Sequence, residues 1–285
     1  MLGGDHASAT TGIPALVADA GASPQQLHVE SVGSGRPLVL LHGWAMHGGL
    51  FAPVLTDLAR HHRVHVVDLP GHGHSPSPPP GRPLSLDGIV AALEGTLHDE
   101  SAPLAVLGWS LGGAVAMRWA ALHPDRIASL VLVATTPSFV ARDDWPHAMR
   151  DETLQKFGDE LRAAYRLTLQ RFLTLQTQGS DGGRATLAAL RHQLFARGAP
   201  TAAALDQSLE LVRGIDLRAL APTIRAPTLV VAGDRDTLAP RAAGAWLAGA
   251  LPNAHFAEIP GAAHAPFLSH REAFLAIVAP FLDGR

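Results

Sequence analysis

Five short apolar runs are the feature that most restricts how this chain can fold. They lie at residues 38–41, 64–67, 104–107, 130–133 and 228–231. A strand with one face in water alternates apolar and polar residues, whereas a nearly continuous apolar run indicates a strand covered on both faces. Helix-compatible segments separate the runs, for example at 49–61, 84–98 and 111–123. This alternation of strand and helix predicts a mostly parallel sheet flanked by helices.

One long interval breaks the alternation. Residues 140–213 contain no strand-like run and hold three helix-compatible segments, at 160–177, 185–195 and 202–213. We therefore expect an all-helical lid at 140–213, inserted between two strands of a core formed by residues 25–139 and 214–285. Residues 1–24 lack a basic leader and a long apolar stretch, so we expect a flexible N-terminal extension.

The composition excludes several classes of function. With 285 residues, 47% of them hydrophobic, the chain can bury a large core in one α/β domain. The net charge of −3 provides no general basic field for nucleic acid or for a membrane. The chain has no cysteine, which excludes disulfides and thiol nucleophiles and is typical of a reducing compartment. We expect a soluble, cytoplasmic protein with no nucleic-acid or membrane partner.

A glycine-rich segment with a serine at its centre follows the third run. Gly108-Trp109-Ser110-Leu111-Gly112-Gly113 lies between a predicted strand and a predicted helix, where a nucleophile elbow belongs. A serine on such a sharp turn needs very small residues two positions before and after it, so that strand and helix can approach. This context predicts Ser110 as the nucleophile.

A serine hydroxyl needs a base, and the base needs a carboxylate to orient it. Asp234, Asp236 and His264 follow strand-like runs, and catalytic groups collect at the carboxyl edge of parallel sheets. We expect His264 to be the base and Asp236 its orienting acid. Asp234 lies closer to the strand and is expected to stabilise the turn.

Two backbone N–H groups must stabilise the negative oxygen that forms during acyl transfer. One belongs to the residue after the nucleophile, Leu111, and the other to the loop after an earlier strand. In this chain that loop is His42-Gly43-Trp44, so Trp44 is the expected second donor, and His42 is expected to hydrogen-bond the loop rather than to catalyse. The chemistry needs no metal or cofactor, and we expect none.

Several histidines cluster between the first and third runs. They are His61, His62, His65, His72 and His74. The cluster lacks the His-Glu-x-x-His pattern and has no cysteine ligands, so the pattern favours glycine turns at strand ends over a metal site.

The motifs above, from about residue 36 to 283, resemble the α/β-hydrolase superfamily. Within it, the 141–146 and 171–177 segments, the latter Arg-Phe-Leu-Thr-Leu-Gln-Thr, resemble the pimeloyl-acyl-carrier-protein methyl ester esterases of biotin synthesis. The resemblance implies an α/β-hydrolase fold and a carboxylic ester hydrolase that demethylates a carrier-bound pimeloyl ester. It also implies substrate contacts at Trp44, Ser110, Leu111, Phe172, Leu173, Thr174, Leu175, Gln176 and His264.

An acyl carrier protein is acidic, so its partner needs a local basic surface. Arginines are frequent in the predicted lid, and five are candidates for docking: Arg162, Arg166, Arg171, Arg184 and Arg191. The alternative is an ordinary solvated helix surface. The chain also departs from the family, because Leu167 and Ala188 occupy positions where a basic residue is expected.

Other functions share these motifs. A general short-chain carboxylesterase, a lactonase or a C–C bond hydrolase acting on small molecules would carry the same serine, acid and histidine. A hydrolase-fold protein that binds a ligand without turning it over is a further alternative. Hydrolases with an aspartate nucleophile are disfavoured, because Ser110 occupies that position.

Overall fold

The structure is a computed structural model that describes residues 25–78, 81, 83–198 and 200–284. The expected N-terminal extension, 1–24, lies outside the described residues. The strands are β1 (Val29–Val32), β2 (Arg36–Leu41), β3 (His62–Val67), β4 (Leu104–Trp109), β5 (Ile127–Val133), β6 (Thr228–Gly233) and β7 (Ala254–Ile259). The helices are α1 (Ala52–Leu58), α2 (Leu86–Thr96), α3 (Leu111–Leu122), α4 (Asp151–Thr177), α5 (Gly183–Gln193), α6 (Ala202–Gly214), α7 (Arg241–Ala250), α8 (Pro266–Ser269) and α9 (Arg271–Asp283). Short 3-10 turns lie at Gly48–Phe51, Pro124–Arg126 and Ala221–Thr223.

The strands form one sheet in the order β1-β3-β2-β4-β5-β6-β7. β1 is antiparallel to β3, and every other neighbouring pair is parallel. The predicted mostly parallel sheet is therefore confirmed, and all five apolar runs lie within β2 to β6. β1 is not among those runs, because this short strand pairs along only one edge and carries partly or fully exposed residues.

The central strands are buried on both faces, as their composition predicts. All six residues of β4 and all six of β6 are buried. Helices supply the cover: α3 packs on β4 and β5, α7 packs on β6 and β7, and α1 packs on α9. Among the described residues, no helix combines the length and apolarity needed to span a membrane.

Three helices, α4 to α6, lie between β5 and β6, and we call them the helical insertion. α4 contacts both α5 and α6 and is kinked at Ala164, where the backbone angles leave the helical region. Arg197, between α5 and α6, forms ion pairs with Asp68 after β3 (3.2 Å) and with Glu30 on β1 (2.5 Å). These contacts tie the insertion to the core.

Candidate active site

Ser110 lies between the last residue of β4 and the first residue of α3. Its backbone angles, φ 55° and ψ −117°, fall in a region that non-glycine residues rarely occupy and that costs about 1–3 kcal/mol. The surrounding backbone holds it there: the Ser110 amide donates to the Val133 carbonyl (2.9 Å), and the Thr135 hydroxyl donates to the Ser110 carbonyl (2.7 Å). The turn therefore presents the serine at the carboxyl edge of the sheet.

The flanking glycines have the steric role that the motif requires. A Cβ on Gly108 would lie 2.3 Å from the Gly112 carbonyl oxygen, and a Cβ on Gly112 would lie 2.2 Å from the Leu41 carbonyl oxygen. Both contacts are to backbone, which cannot move aside without shifting a strand or helix. Any larger residue at either position would separate α3 from β2 and β4.

Asp236 and His264 meet in the same region, although 28 residues separate them in sequence. Asp236 follows β6 and is buried, and its Oδ1 accepts the amides of Leu238 (2.8 Å) and Ala239 (3.0 Å). Its Oδ2 lies 2.8 Å from Nδ1 of His264. Because a carboxylate accepts, Nδ1 carries the proton, and Nε2 is left as the basic nitrogen. Asp234 instead accepts the Gly261 amide (2.7 Å), a contact within the turns after β6 and β7.

The backbone of His264 is held on two sides. Its amide donates to the Gln176 carbonyl at the end of α4 (3.1 Å), and its carbonyl accepts the indole N–H of Trp109 (2.7 Å). The Trp109 ring also packs against the imidazole, with ring centres 5.7 Å apart. Sequence reasoning missed this role of Trp109, although the residue stands directly before the serine.

The two expected oxyanion donors lie near the serine. Leu111 is the first residue of α3, and Gly43 approaches Ser110 so closely that a Cβ on the glycine would lie 3.2 Å from the serine Cβ. Within the described part of the chain, neither the Trp44 amide nor the Leu111 amide has a protein acceptor. Both N–H groups are therefore available to a ligand.

One cavity contains Ser110, His264 and Trp44. Its remaining lining side chains are apolar except for one threonine: Phe139, Met149, Thr153, Leu154, Phe157, Phe172, Leu175, Leu209, Val212 and Leu238. The space between these atoms is about 690 Å³ and opens to solvent. Trp44 packs edge-to-face against Phe157 and Phe172, so α4 forms one wall. Of the described residues that line this cavity, His264 alone has a titratable side chain.

The five α4 residues expected to contact substrate face different directions. Phe172 and Leu175 line the cavity, as helical spacing of three residues allows. Leu173 is fully buried, Thr174 is exposed, and Gln176 is buried with its Oε1 lacking a hydrogen-bond partner among the described residues. Phe157 and the α6 residues Leu209 and Val212 also line the cavity and were not predicted. The i, i+3 spacing of Leu209 and Val212, which places them on one face of a helix, is the sequence signal that could have indicated this pair.

Comparison with known proteins identifies the family. The α/β hydrolase fold family matches residues 36–271. A pimeloyl-acyl-carrier-protein methyl ester esterase of Chromobacterium violaceum is 45% identical over 257 residues, which is 90% of this chain and 98% of the relative. The chain belongs to the pimeloyl-acyl-carrier-protein methyl ester esterase family. Both the resemblance seen in the sequence and the α/β-hydrolase fold are thereby confirmed.

Two further comparisons agree with this assignment. An esterase of the same name from Xanthomonas oryzae pv. oryzae is 46% identical over 247 residues, 86% of this chain and 94% of the relative. The solved structure of an esterase from Exiguobacterium antarcticum superposes with a TM-score of 0.82, covering 90% of this chain and 95% of the other at 21% identity. At that identity the superposition shows the fold alone. The enzyme is thus a carboxylic ester hydrolase by family.

The five candidate docking arginines of the esterase have different surroundings. Arg162 forms ion pairs with Asp159 (3.1 Å) and with the α6 acids Asp206 (2.8 Å) and Glu210 (3.5 Å), so its charge is balanced within the insertion. Asp206 and Glu210 follow the arginine-rich stretch in sequence, so the charge of that stretch alone did not predict their ion pairs with Arg162.

The other four arginines are more available. The guanidinium of Arg166 lies over the Phe195 ring (4.9 Å), and Arg171 has one exposed partner, Glu160 (3.4 Å). Arg184 and Arg191 are exposed and form no ion pair with any described residue.

The clustered histidines do not converge on one point. Among the described residues, no group of three or more histidine, aspartate or glutamate side chains is placed to hold a metal ion.

His42, which lies outside that cluster, donates from Nδ1 to the Gly43 carbonyl (2.8 Å) and accepts the Leu69 amide at Nε2 (2.9 Å). This loop contact has the form expected from the sequence.

Proposed function

We propose that this enzyme hydrolyses the methyl ester of a pimeloyl group carried on acyl carrier protein. The observation that carries the proposal is the cavity in which Ser110, His264 and Trp44 lie together against an apolar wall from α4. The 45% identity to a curated esterase of that name over almost the whole chain supports the choice of ester.

The first half-reaction acylates Ser110. Nε2 of His264 takes the hydroxyl proton as the serine oxygen attacks the ester carbonyl, and the Trp44 and Leu111 amides bind the negative oxygen. The protonated histidine then gives its proton to the leaving methoxide, and methanol departs. Asp236 stabilises the imidazolium through the 2.8 Å bond to Nδ1.

The second half-reaction regenerates the serine. His264 deprotonates a water molecule that attacks the acyl-enzyme, and the same amides bind the oxygen of the second tetrahedral intermediate. The product is a carboxylate. Because no lysine or arginine side chain of the described residues lines the cavity, this charge has no ion-pair partner there, which favours release of the acid over the neutral ester.

The cavity suits a chain of methylene groups. Each buried methylene contributes about 0.8 kcal/mol of transfer free energy, and the ester end is neutral, so an acyl chain loses little on desolvation. We propose that the helical insertion, α4 to α6, acts as the lid over this chain. Because acyl carrier proteins carry biosynthetic intermediates in the cytoplasm, the proposed substrate implies a cytoplasmic enzyme.

We propose that Arg166, Arg171, Arg184 and Arg191 provide the basic surface for the carrier protein. Arg171 lies one helical turn from Leu175, which lines the cavity and is 39% exposed. An acidic carrier bound at Arg171 would therefore deliver its acyl chain at the cavity entrance. Arg162, held by three acids, contributes less.

A single variant tests the chemistry. Wild-type enzyme should hydrolyse p-nitrophenyl butyrate, and Ser110→Ala should lower kcat by about 10⁴-fold or more while leaving thermal stability unchanged within about 1 kcal/mol. No turnover by the wild type would instead favour a protein that binds ligands without catalysis. Full activity in Ser110→Ala would refute the assigned nucleophile.

The substrate needs a separate experiment. Expression of the enzyme should restore biotin-independent growth to a host that lacks its own pimeloyl methyl ester esterase, and Ser110→Ala should not. Failure to restore growth, together with good hydrolysis of short esters or lactones in vitro, would identify a general carboxylesterase or lactonase instead.

Carrier docking is tested by charge reversal. Arg171→Glu with Arg184→Glu should raise KM for the carrier-bound ester at least tenfold and leave p-nitrophenyl butyrate hydrolysis unchanged. A matched control is Arg36→Glu with Arg225→Glu. Both arginines are exposed, at the start of β2 and shortly before β6, so they lie at the amino ends of the strands, away from the active site at the carboxyl ends. Equal effects of the two double variants would show that net charge, rather than a docking site, matters.

A further inference from the structure

Two buried histidine side chains join the loop after β2 to the loop after β3. His42 immediately follows β2, and His72 lies in the second loop. Both are at most 1% exposed, and their ring centres are 5.5 Å apart. In each imidazole, both nitrogens take part in a hydrogen bond.

The partners fix the tautomer of both rings. A backbone amide only donates, so Nε2 of His42, which receives the Leu69 amide, is unprotonated, and its Nδ1–H donates to the Gly43 carbonyl. By the same reasoning, Nε2 of His72 accepts the Ala45 amide (3.3 Å), and its Nδ1–H donates to the Pro70 carbonyl (3.0 Å). Burial lowers the pKa of both histidines, so both remain neutral.

The first of these bonds acts on the peptide group of the proposed oxyanion donor. The Gly43 carbonyl and the Trp44 N–H belong to one trans peptide unit, so they point in opposite directions. The hydrogen bond from Nδ1 of His42 to the carbonyl (2.8 Å), together with one from the Met46 amide (3.2 Å), therefore fixes the direction of the N–H. It also polarises the amide and strengthens the N–H as a donor. A Cβ on Gly43 would lie 3.2 Å from the Cβ of Ser110, so the peptide group between Gly43 and Trp44 lies beside the nucleophile.

The second bond acts on the next peptide group. Ala45 has a φ of +62°, which L residues rarely adopt. Its amide has one protein acceptor among the described residues, Nε2 of His72. The Met46 amide, which donates to the Gly43 carbonyl (3.2 Å), closes the turn around Ala45. Loss of the His72 acceptor would leave this turn bond in place but would loosen the peptide group between Trp44 and Ala45.

We propose that His42 and His72 are positioning residues for the oxyanion hole, His42 through its Nδ1–H and His72 through its Nε2. This inference rests on the proposed function, in which the Trp44 amide binds the oxyanion. The bond that matters is made by Nδ1 in His42 and by Nε2 in His72, and both bonds orient the loop that carries the Trp44 amide. That difference between the two rings makes the inference testable.

Asparagine and glutamine separate the two nitrogens of each ring. The Nδ2 of asparagine replaces the donor at Nδ1, and the Oε1 of glutamine replaces the acceptor at Nε2. His42→Asn therefore keeps the bond to the Gly43 carbonyl, and His42→Gln loses it. For His72 the order reverses, because His72→Gln keeps the Ala45 bond and His72→Asn loses it. Each of the four variants loses one buried hydrogen bond, so their melting temperatures should fall by similar amounts.

The measurement is kcat and KM for p-nitrophenyl butyrate, with Tm for each variant. Removing an oxyanion donor outright costs on the order of 10²–10³ in kcat, so a misdirected one should cost about 10- to 100-fold. We expect this loss in His42→Gln and His72→Asn, with KM within about threefold of wild type. His42→Asn and His72→Gln should keep kcat within about threefold.

The outcomes separate this inference from the proposed function. Equal kcat within each pair, a reversed order, or losses that follow Tm would overturn the positioning role and leave two structural histidines. An inactive wild type would overturn both the esterase and the positioning role. The expected crossed pattern, combined with no cleavage of the carrier-bound methyl ester, would support the positioning role and refute only the proposed substrate.

Discussion

The indole of Trp109 should matter to catalysis beyond its contribution to stability. Its N–H donates to the His264 carbonyl at 2.7 Å, and the side chain is 1% exposed. Trp109→Phe leaves that buried carbonyl without its donor, which costs about 1–3 kcal/mol, and the smaller ring adds about 1 kcal/mol for the space it leaves. The expected loss of stability is about 2–4 kcal/mol.

A matched variant separates stability from catalysis. Trp145 is also 1% exposed, and its indole N–H donates to a backbone carbonyl, that of Ser138, at 2.9 Å. It does not line the cavity. Trp145→Phe should therefore lose a similar free energy of unfolding, measured by urea denaturation, and keep its kcat.

The kinetic effect follows from the position of the imidazole. A misplacement of 1 Å in a catalytic group can cost on the order of 10² in rate, so release of the His264 backbone should lower kcat for p-nitrophenyl butyrate about 10- to 100-fold. The assay is run where both variants are fully folded. Equal kcat in Trp109→Phe and Trp145→Phe would refute a role for the indole in positioning the base.

Three more predictions follow from other residues in and around the site. Asp236→Asn can still accept backbone amides, so it should fold normally but lose about 10⁴-fold in kcat, because the imidazole loses its stabilising charge and tautomer; a loss below about tenfold would contradict the assignment. Gly112→Ala places a Cβ 2.2 Å from a carbonyl oxygen at the end of β2 and should lower Tm strongly or prevent folding. The matched control is Gly249→Ala in α7, where no heavy atom lies within 4 Å of the added Cβ, and it should raise the free energy of unfolding by about 0.5 kcal/mol. Burial and a neighbouring histidine lower the pKa of His42 from 6.5 to about 3. The unfolded state therefore binds a proton more readily than the folded state. The free energy of unfolding should fall as the pH drops from 6.5 towards 3, by up to about 1.4 kcal/mol per pH unit. Urea denaturation from pH 7 to 4 should show a shallower slope in His42→Asn, and parallel slopes would argue against a neutral buried ring.

The sequence predicted the parallel sheet because a continuous apolar run of strand length, bounded by turn residues, is typical of a strand with helices on both faces. The same reasoning placed Ser110, Asp236 and His264 at one sheet edge, since the carboxyl ends of parallel strands meet there. β1 was missed for the complementary reason. Its residues are partly or fully exposed, so hydrophobicity carried no signal.

The cavity wall was harder to predict. A contiguous motif on α4 suggested five contacts, but a helix turns by about 100° per residue, so only Phe172 and Leu175 of that set face the cavity. The remaining wall comes from the first two turns of α4, from α6, from the segment after β5 and from Leu238 after β6, and these elements meet only through tertiary packing. The ion pairs of Arg162 with Asp206 and Glu210 on α6 likewise join residues that are far apart in sequence, so the sequence around Arg162 did not predict them.

The Gln176 carbonyl, which receives the His264 amide, limits how the enzyme can be engineered. The carbonyl belongs to the last turn of α4, so the helix that forms one wall of the cavity also holds the backbone of the base. Exchange of the insertion for that of another hydrolase would alter the base together with the wall. A chimera that retains the native chain from Gln176 onward should change which esters it accepts without disturbing the histidine.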